Sequence, residues 1–307
     1  MRASLIVLNY EGRAVLPACI NSLLASISAD DEIIVVDNAS TDSSADLVPL
    51  DPRVRVIRRD VNNFIFGLND GLANSNAEFV AFLNNDIVVE PTFVELCLAT
   101  FQFPDDFAVC PRILDRHGME QGALTTGHWI RGLIFYKPLP HDPLATTTFF
   151  AVGGQSFFRR QLLVRLGSID ELFWPMYHED IELSYRAWKA GYRIRFCPEA
   201  IVHHVGGHAS KRTFTDAQLR SFVRQNEFLT VWKNITDPTL LGAHLCLLPL
   251  RLLTALFRRD WPTLVGFSAA IKRLPRVRVS RRAARSLAVL SDRAVLARVG
   301  QAPESAT

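Results

Sequence analysis

The amino-acid sequence predicts an α/β protein with a doubly wound, mixed sheet. Two short runs, at residues 4–8 and 32–36, are almost entirely apolar, as expected of strands that are buried on both faces. Strand-like segments follow at residues 54–57 and 78–83, and residues 67–74 between them are expected to form a helix. Because strands and helices alternate along this part of the chain, its pattern is typical of a doubly wound fold.

The spacing of apolar residues and the positions of residues that end helices predict the remaining elements. A helix after the first strand would present one apolar face, made of Val15, Cys19, Ile20, Leu23 and Leu24. Another helix is expected over residues 182–190, since Gly191 is suited to the left-handed conformation that ends helices. Residues 193–196 alternate between polar and apolar, which predicts an exposed edge strand, and residues 115–148 are expected to form an irregular loop.

Composition excludes disordered and fibrous proteins. Hydrophobic residues make up 49% and charged residues 21% of the 307 residues, which is enough apolar material for a packed core. The five cysteines are scattered and form no CxxC pair, so the sequence offers no zinc motif and favours reduced, cytoplasmic thiols. The apolar run at residues 5–8 is too short for a signal sequence, which also favours a cytoplasmic protein.

Charge is distributed unevenly along the chain. Residues 251–285 contain ten basic residues and one acidic residue, Asp260, and so carry +9, whereas the whole chain carries +3. The rest of the chain is therefore acidic, with a net charge of −6. A basic segment on an acidic body indicates an anionic partner for that segment.

Carboxylates follow two of the predicted strands. Asp37 and Asp86 both lie at the strand ends where open α/β sheets bind ligands. Asp37 is suited to accept the imide N–H of a uracil or thymine ring, and Asp86 to hold a divalent ion that bridges a diphosphate. Both are also ordinary turn or helix-capping residues, so neither alone distinguishes a binding site from a turn.

A third candidate is the sequence His178-Glu179-Asp180, which opens a predicted helix. Glu179 or Asp180 can act as a general base if it faces a cavity. The same sequence is also a good helix start, because carboxylates are favourable at helix N-termini. Aromatic residues able to wall a cavity and stack on sugar rings lie nearby, at Phe173, Trp174, Tyr177 and Tyr185.

Histidines at the end of a further strand form the fourth candidate. His203, His204 and His208 are grouped with Gly206 and Gly207. Such a group can ligate a metal or contact phosphate, and it is equally compatible with ordinary packing.

Taken in order, these segments resemble a family 2 glycosyltransferase of the GT-A fold, which has a Rossmann-like mixed sheet, and its rhamnosyltransferase-like branch in particular. The resemblance runs from Ser4 to about Asn234, roughly three quarters of the chain. The matching segments are residues 6–10 (IVLNY), 35–42 (VVDNASTD), 66–71 (FGLNDG), 82–86 (FLNND), 153–160 (GGQSFFRR), 167–173 (GSIDELF), 178–183 (HEDIEL), 191–193 (GYR) and 203–207 (HHVGG). Each segment is weak alone, and their shared order makes the resemblance specific.

The resemblance implies roles for residues at matching positions. Asp37 would hold the nucleobase, Asp86 and His204 would hold Mg²⁺ or Mn²⁺, and Asp180 of the Glu179–Asp180 pair would be the catalytic base. Further contacts to the nucleotide sugar would come from Asn9, Asn38, Gly67, Asn69, Asn84, Asn85, Gly153 and Gly154. The acceptor would contact Asp170, Glu171, Trp174 and Tyr177.

One segment departs from the family pattern. The segment Asn84-Asn85-Asp86 has one carboxylate where many family members have two or three. This departure implies a metal site that depends more strongly on the diphosphate and on His204.

The implied reaction is an inverting transfer from a nucleotide diphosphate sugar to an acceptor hydroxyl. The branch favours dTDP-rhamnose as donor, with UDP-sugars next, and a saccharide or lipid-linked saccharide as acceptor in cell-surface polysaccharide or glycolipid synthesis. Two alternatives stay open, a sugar nucleotidyltransferase and an inert membrane-bound scaffold of the same fold. The nucleotidyltransferase would need a Gly-rich phosphate loop after the first strand, where residues 9–13 (NYEGR) match poorly.

The predicted organisation has three parts, a nucleotide-sugar half at 1–110, an acceptor and catalytic half at 111–235, and a helical tail at 236–307. Within the tail, residues 240–257 are apolar but are interrupted by His244, Pro249 and Arg251. This pattern favours a helix lying on an anionic membrane, at the inner face of the plasma membrane, over a spanning helix. Trp261 and Phe267 would anchor it. The alternative is a pair of helices that pack on the domain and end in a solvated basic segment, and no motif points to nucleic acid.

Overall fold

The computed structural model describes residues 2–206 and 213–301, and its centre is an eight-stranded mixed sheet in the order β3-β2-β1-β4-β9-β6-β10-β5. A separate hairpin is formed by β7 and β8. The strands are β1 Ala3–Asn9, β2 Glu32–Asp37, β3 Val54–Arg58, β4 Phe79–Asn84, β5 Ile87–Val89, β6 Asp106–Asp115, β7 Thr125–Ile130, β8 Leu133–Pro138, β9 Gln155–Arg159 and β10 Arg193–His204. The predicted α/β architecture with a mixed sheet is confirmed.

Ten α-helices lie in the described residues. They are α1 Leu16–Ser26, α2 Gly67–Ala73, α3 Phe93–Ala99, α4 Arg160–Leu166, α5 Glu179–Lys189, α6 Asp216–Asn234, α7 Pro238–Phe257, α8 Trp261–Lys272, α9 Leu274–Leu287 and α10 Asp292–Val299. Successive residues of the central strands enter two different cores, as the alternation of side chains across a sheet requires. Leu5 and Val7 pack with α1 and α3 on one face, whereas Ile6 packs with α2, α5 and the C-terminal helices on the other.

The parallel half of the sheet brings three strand ends together. β1 pairs in parallel with both β2 and β4, so that Asn9 lies opposite Asp37 and Leu8 lies opposite Asn84. Because the carboxyl ends of parallel strands meet at one edge, the polar residues that end β1, β2 and β4 share that edge.

The other half of the sheet brings in the segment after β4. β9 runs antiparallel between β4 and β6, and β10 runs parallel to β6. The short strand β5 pairs antiparallel with the end of β10, so that His204 lies opposite Ile87. This register places His204 beside the residue that precedes Ile87, which is Asp86.

The prediction of an irregular loop over residues 115–148 was wrong, because this segment contains the hairpin β7–β8. Its two-residue turn is Arg131-Gly132, and both residues have positive φ (49° and 82°), as in the tight turns that suit the twist of a hairpin. The Gly, His and Thr residues obscured the strands, although Gly132 between two apolar segments is a usable hairpin signal.

The prediction of an exposed edge strand at residues 193–196 was also wrong. β10 pairs with β6 along its length, and on its other side Thr147 forms a bridge with Arg195. Arg195 is buried, and its Nε lies 3.9 Å from Oδ1 of the buried Asp106. The polar alternation therefore reflects a charge that is paired inside the protein and does not indicate solvent exposure.

The C-terminal helices are joined to the rest of the fold. Ala270 of α8, Val277 of α9 and Val295 of α10 are buried in the core that also contains α5 and α6. The predicted boundary at residues 110 and 111 falls within β6. The helices α8, α9 and α10 therefore pack on the domain, whereas several leucines of α7 are exposed.

Asp292 at the start of α10 is the main polar attachment of this C-terminal part. Its carboxylate is fully buried and accepts hydrogen bonds from the Tyr185 hydroxyl (2.9 Å), the Lys189 ammonium (2.9 Å) and the backbone N–H groups of Thr236 and Asp237 (2.6 and 2.7 Å). Burial by itself would raise the pKa of Asp292, but the Lys189 ammonium and the Thr236 N–H outweigh it and hold the pKa below its ordinary value. One side chain thus joins α5, the α6–α7 connection and α10.

We expect Asp292→Asn to destabilise the protein strongly. The substitution leaves the buried Lys189 ammonium without its anionic partner, and removing one member of a buried ion pair costs about 3–5 kcal/mol. Asp46→Asn is a matched control, because Asp46 pairs with Arg58 at the surface and such pairs contribute about 1 kcal/mol or less. Urea unfolding of both variants measures the difference, and equal losses would contradict the role of Asp292.

Candidate active site

A cavity of about 620 Å³ opens at the polar edge of the sheet. This volume lies in the range of small-molecule binding sites. The cavity is bounded by the loops after β1, β2 and β4, by the loop between β6 and β7, by the start of α5 and by the end of β10. Among its lining residues are Tyr10, Asn38, Asn84, Asn85, Asp86, Gly153, Tyr177, Glu179, Asp180 and His204.

Asp86 and His204 meet on one wall of the cavity. The His204 Nε2 lies 3.3 Å from the Asp86 Oδ1, and the backbone N–H of Val205 donates to the Asp86 carbonyl (2.9 Å). The His204 Nδ1 donates to the Gln121 Oε1 (2.8 Å), which leaves Nε2 directed at the carboxylate. A carboxylate oxygen and an imidazole nitrogen are both common ligands of divalent cations, and here the two atoms face each other.

This pair fits the requirements of a divalent ion that also binds a diphosphate. In residues 2–206 and 213–301, no three His, Cys, Asp or Glu side chains are grouped so that they could hold a metal alone. Mg²⁺, however, takes only one or two protein carboxylates when phosphate oxygens and water complete its shell. His208 and Gly207, which were grouped with His204 in the sequence, lie outside the described residues.

Gly153 and Gly154 connect two walls of the cavity. The backbone N–H of Asn84 donates to the Gly154 carbonyl (2.7 Å), and the N–H of Gly153 donates to the Asp180 Oδ2 (3.1 Å). Gly154 has a φ of 82°, and a Cβ at this position would collide with the Asn84 side chain. Glycine is therefore required here to bring the end of β4 against the segment that holds Asp180.

Glu179 and Asp180 begin α5 and face the cavity together. Burial raises the pKa of Glu179 to about 8, with a further contribution from the neighbouring Asp180 charge. Burial also raises the pKa of Asp180, although the N–H groups of Gly153 and Ile181 favour its ionised form. The Glu179 Oε2 is buried and accepts no hydrogen bond from residues 2–206 or 213–301, whereas both Asp180 oxygens accept one. We infer that Glu179 is the member of the pair that retains a proton at neutral pH.

Asp37 lies behind the cavity wall. Its Oδ1 accepts hydrogen bonds from the Asn9 amide (2.8 Å) and the Ser40 hydroxyl (2.6 Å). The Asn9 Oδ1 in turn accepts from the Asn85 amide (2.8 Å), and Asn85 lines the cavity. Asp37 is 4% exposed and is not among the lining residues, so it reaches the cavity through this polar chain.

Three of the expected donor contacts have clear structural roles. The Asn38 amide donates to the Phe64 carbonyl (2.8 Å) and shapes the cavity wall, which Asn38 itself lines. Gly67 lies close against Leu8, where a Cβ would be 2.7 Å from that side chain. Asn69 donates to the Ile169 carbonyl and accepts from the Ser168 hydroxyl, so it holds the loop after α4 and does not line the cavity.

The expected acceptor residues separate into two groups. Tyr177 lines the cavity, and the ring of Trp174 contacts Phe64, another lining residue, at a centroid distance of 5.6 Å. Asp170 and Glu171 instead line a second cavity beside α9, where Asp170 accepts from Lys233 (2.7 Å) and from Ser280. The geometry gives no support for acceptor binding by Asp170 or Glu171, because the Asp170 carboxylate is engaged in an ion pair away from the main cavity.

Sequence reasoning missed a polar loop on the cavity wall. Asp115, Arg116, His117 and Gln121 line the cavity between β6 and β7. A usable signal was present, since Asp115 ends a largely apolar strand, as Asp37 does. The sequence pattern predicted only an irregular loop over this segment.

We expect Glu179→Gln to become increasingly stabilising as the pH rises. The folded chain holds the Glu179 proton up to about pH 8, whereas the unfolded chain loses it near 4.5. Between these values the folded state binds one more proton, so this group lowers the free energy of unfolding by roughly 1.4 kcal/mol for each pH unit of increase. Glutamine removes this slope.

Urea unfolding over this pH range measures the difference between the wild type and Glu179→Gln. Glu95→Gln, which changes an exposed surface pair with Arg2, serves as the control and should run parallel to the wild type. If Glu179→Gln also runs parallel to the wild type, Glu179 is ionised throughout the range and the inferred protonation is wrong.

Comparison with known proteins identifies the family of this chain. Residues 4–167 match the family model described as Glycosyl transferase family 2. The chain is 23% identical over 221 residues to the O-antigen chain rhamnosyltransferase RfbN of Salmonella typhimurium, a match that covers 70% of this chain and 69% of that protein.

Two solved glycosyltransferase structures have a similar fold. The crystal structure of S. aureus TarS 1–349 in complex with UDP-GlcNAc aligns with a TM-score of 0.61 at 15% identity, over 97% of this chain and 90% of that chain. The structure of GalNAc-T7 with UDP, GalNAc and Mn²⁺ aligns with a TM-score of 0.62 at 16% identity, over 77% of this chain and 48% of that chain. These similarities confirm the GT-A fold. Because the family model covers more than half of the chain, the protein belongs to glycosyl transferase family 2 and is a glycosyltransferase.

Proposed function

We propose that this protein transfers a sugar from a nucleotide diphosphate donor to an acceptor hydroxyl, with inversion at the anomeric carbon. The observation that carries the proposal is that Asp86, Asp180 and His204, which are far apart in the sequence, line one cavity. The paired Asp86 carboxylate and His204 imidazole can hold a divalent ion that binds the diphosphate. The buried Asp180 carboxylate can accept the proton of the acceptor hydroxyl.

Asp86 and His204 would bind the donor diphosphate through Mg²⁺ or Mn²⁺. Their separation of 3.3 Å and the orientation of the His204 Nε2 support this role. The similarity to GalNAc-T7, whose structure contains Mn²⁺, is consistent with it. When bound, such an ion neutralises charge that develops on the leaving diphosphate.

Asp180 would act as the general base. The acceptor oxygen forms a bond to the anomeric carbon, the bond from that carbon to the diphosphate oxygen breaks, and the acceptor proton moves to the Asp180 carboxylate. Burial raises the pKa of Asp180, which makes its ionised form a stronger base. The Gly153 N–H orients Oδ2, and a protonated Glu179 keeps a second negative charge away from the developing carboxylic acid.

The relatives and the cavity support specific proposals for the donor and the acceptor. The similarity to a Salmonella rhamnosyltransferase supports rhamnose as the sugar, and we propose dTDP-rhamnose as donor. UDP-sugars are the second choice, because TarS was crystallised with UDP-GlcNAc. The chain Asp37–Asn9–Asn85 would support the nucleobase end of the donor. The acceptor would be a saccharide or a lipid-linked saccharide of a cell-surface polysaccharide or glycolipid, contacted by Tyr177 and Trp174. Transfer assays with a panel of nucleotide sugars identify the donor.

The proposed location is the cytoplasmic face of the plasma membrane, with the protein bound peripherally. The relative from O-antigen synthesis and the basic C-terminal helices support this location.

We expect Asp180→Asn to lower turnover about 10²–10⁴-fold, because the amide cannot accept the acceptor proton. Donor affinity, measured by calorimetry with the nucleotide diphosphate and Mn²⁺, should stay within about a factor of two or three, a free-energy change well under 1.4 kcal/mol. Asp60→Asn, at an exposed residue that does not line the cavity, is the control. Turnover close to that of the wild type would remove Asp180 from the base role.

We expect Asp86→Ala and His204→Ala each to weaken Mn²⁺ binding in the presence of the nucleotide diphosphate by about tenfold or more. Each substitution removes one of two protein ligands from a site that has few. His203→Ala is a matched control, since its imidazole points elsewhere and lies 2.8 Å from the Glu90 carboxylate. Electron paramagnetic resonance titration of free Mn²⁺ gives the affinities, and equal affinities for the His203 and His204 variants would refute the metal site.

A further inference from the structure

Helix α7 presents an exposed apolar stripe. His244, Leu248 and Ala255 face the protein at spacings of four and seven residues, while the opposite side of the helix is exposed. This stripe continues across the α7–α8 turn, and we call it the docking face. It consists of Leu245, Leu250, Leu253, Leu256, Phe257, Trp261 and Val265, each between 50% and 82% exposed.

Polar bonds attach the other side of α7 to the protein. The His244 Nδ1 donates to the Gly132 carbonyl (2.7 Å), and the Trp232 Nε1 donates to the His244 Nε2 (2.9 Å). Arg251 donates to the Arg131 carbonyl (2.8 Å). Although α7 is long and apolar enough to cross a membrane by length and composition, a spanning position would break these bonds and place the Arg251 cation in hydrocarbon. The structure therefore favours a helix that lies along a surface.

Basic residues lie next to the docking face and on the helices that follow it. Arg258 and Arg259 directly follow Phe257, and Lys272, Arg276, Arg278, Arg282 and Arg285 are exposed on α8 and α9. The one acidic residue between residues 238 and 289 is Asp260, whose carboxylate caps α8 through the Thr263 hydroxyl (2.7 Å). A second copy of this chain docked face to face would bring Arg258 and Arg259 of the two copies together, with Asp260 as the one acid in this segment. An anionic surface is the complementary partner.

We propose that the docking face binds the surface of an anionic lipid bilayer. The leucines, Phe257 and Val265 enter the acyl boundary, Trp261 lies at the level of the headgroups, and Arg258 and Arg259 pair with anionic headgroups. This inference gives the peripheral location proposed above a defined set of residues. It does not depend on catalysis, so its failure and the failure of the proposed transfer reaction are separable.

Vesicle binding by the full chain tests the proposal. Flotation is measured with vesicles of phosphatidylcholine alone and of phosphatidylcholine mixed with phosphatidylglycerol. The triple variant Leu250→Ser, Leu253→Ser, Phe257→Ser should lower partitioning into the anionic vesicles about tenfold or more. The matched control is Leu50→Ser, Leu144→Ser, Val164→Ser, which removes three exposed apolar side chains elsewhere and should bind as the wild type does.

The charge contribution is tested separately. Arg258→Gln with Arg259→Gln should lower partitioning into anionic vesicles about fivefold for each charge and have little effect on neutral vesicles. Quenching of tryptophan fluorescence by brominated lipid should fall in Trp261→Phe. Circular dichroism and thermal unfolding establish that each variant is folded.

Three results would overturn the proposal. One is flotation of the folded triple variant equal to that of the wild type, and another is equal binding of the wild type to neutral and anionic vesicles. The third is sedimentation showing a dimer that the triple variant dissociates, which would assign the docking face to a second copy of the chain.

Discussion

The backbone hydrogen bond from the Asn84 N–H to the Gly154 carbonyl joins the end of β4 to the segment that leads into β9. It is possible because Gly154 adopts a positive φ and has no Cβ to strike the Asn84 side chain. The adjacent Gly153 N–H then reaches the Asp180 carboxylate. The segment that contains the proposed base Asp180 and the strand end that precedes the proposed metal ligand Asp86 are thus held together through Gly153 and Gly154, and at Gly154 this close approach tolerates no larger residue.

The buried charged residues of α5 are arranged in two different ways. Behind the cavity, Glu182 pairs with Arg186 and Lys233, and Lys233 also binds Asp170, so that every charge in this group has a partner. At the cavity, Glu179 is buried and forms no ion pair with the described part of the chain, and burial raises its pKa to about 8. The first arrangement holds α5 against α6, whereas the second leaves a pair of buried carboxyl groups with raised pKa values at the cavity, where the proposed proton transfer would occur.

The C-terminal helices pack on the core of the fold and also carry the docking face. Asp292 attaches α10 to α5, and Arg273 at the end of α8 donates to the carbonyls of Leu172 and Trp174. The opposite end of α8 carries Trp261 of the docking face, roughly 18 Å away at 1.5 Å per residue. One helix therefore connects the rim of the cavity, where Trp174 lies, to the proposed membrane contact. This connection is consistent with an acceptor that is presented from a membrane.

The sequence alone determined the early strands, the helix ending at Gly191 and the positions of Asp37, Asp86 and Asp180 at element ends. These features depend on local periodicity and turn chemistry, which a linear pattern contains. The tertiary structure decided that His204 meets Asp86, because that contact depends on the register of β5 against β10. It also decided that Asp170 pairs with Lys233 away from the cavity, that β10 is interior, and that residues 125–138 form a hairpin. Long-range pairing and burial depend on which distant segments meet, and no single segment of the chain contains that information.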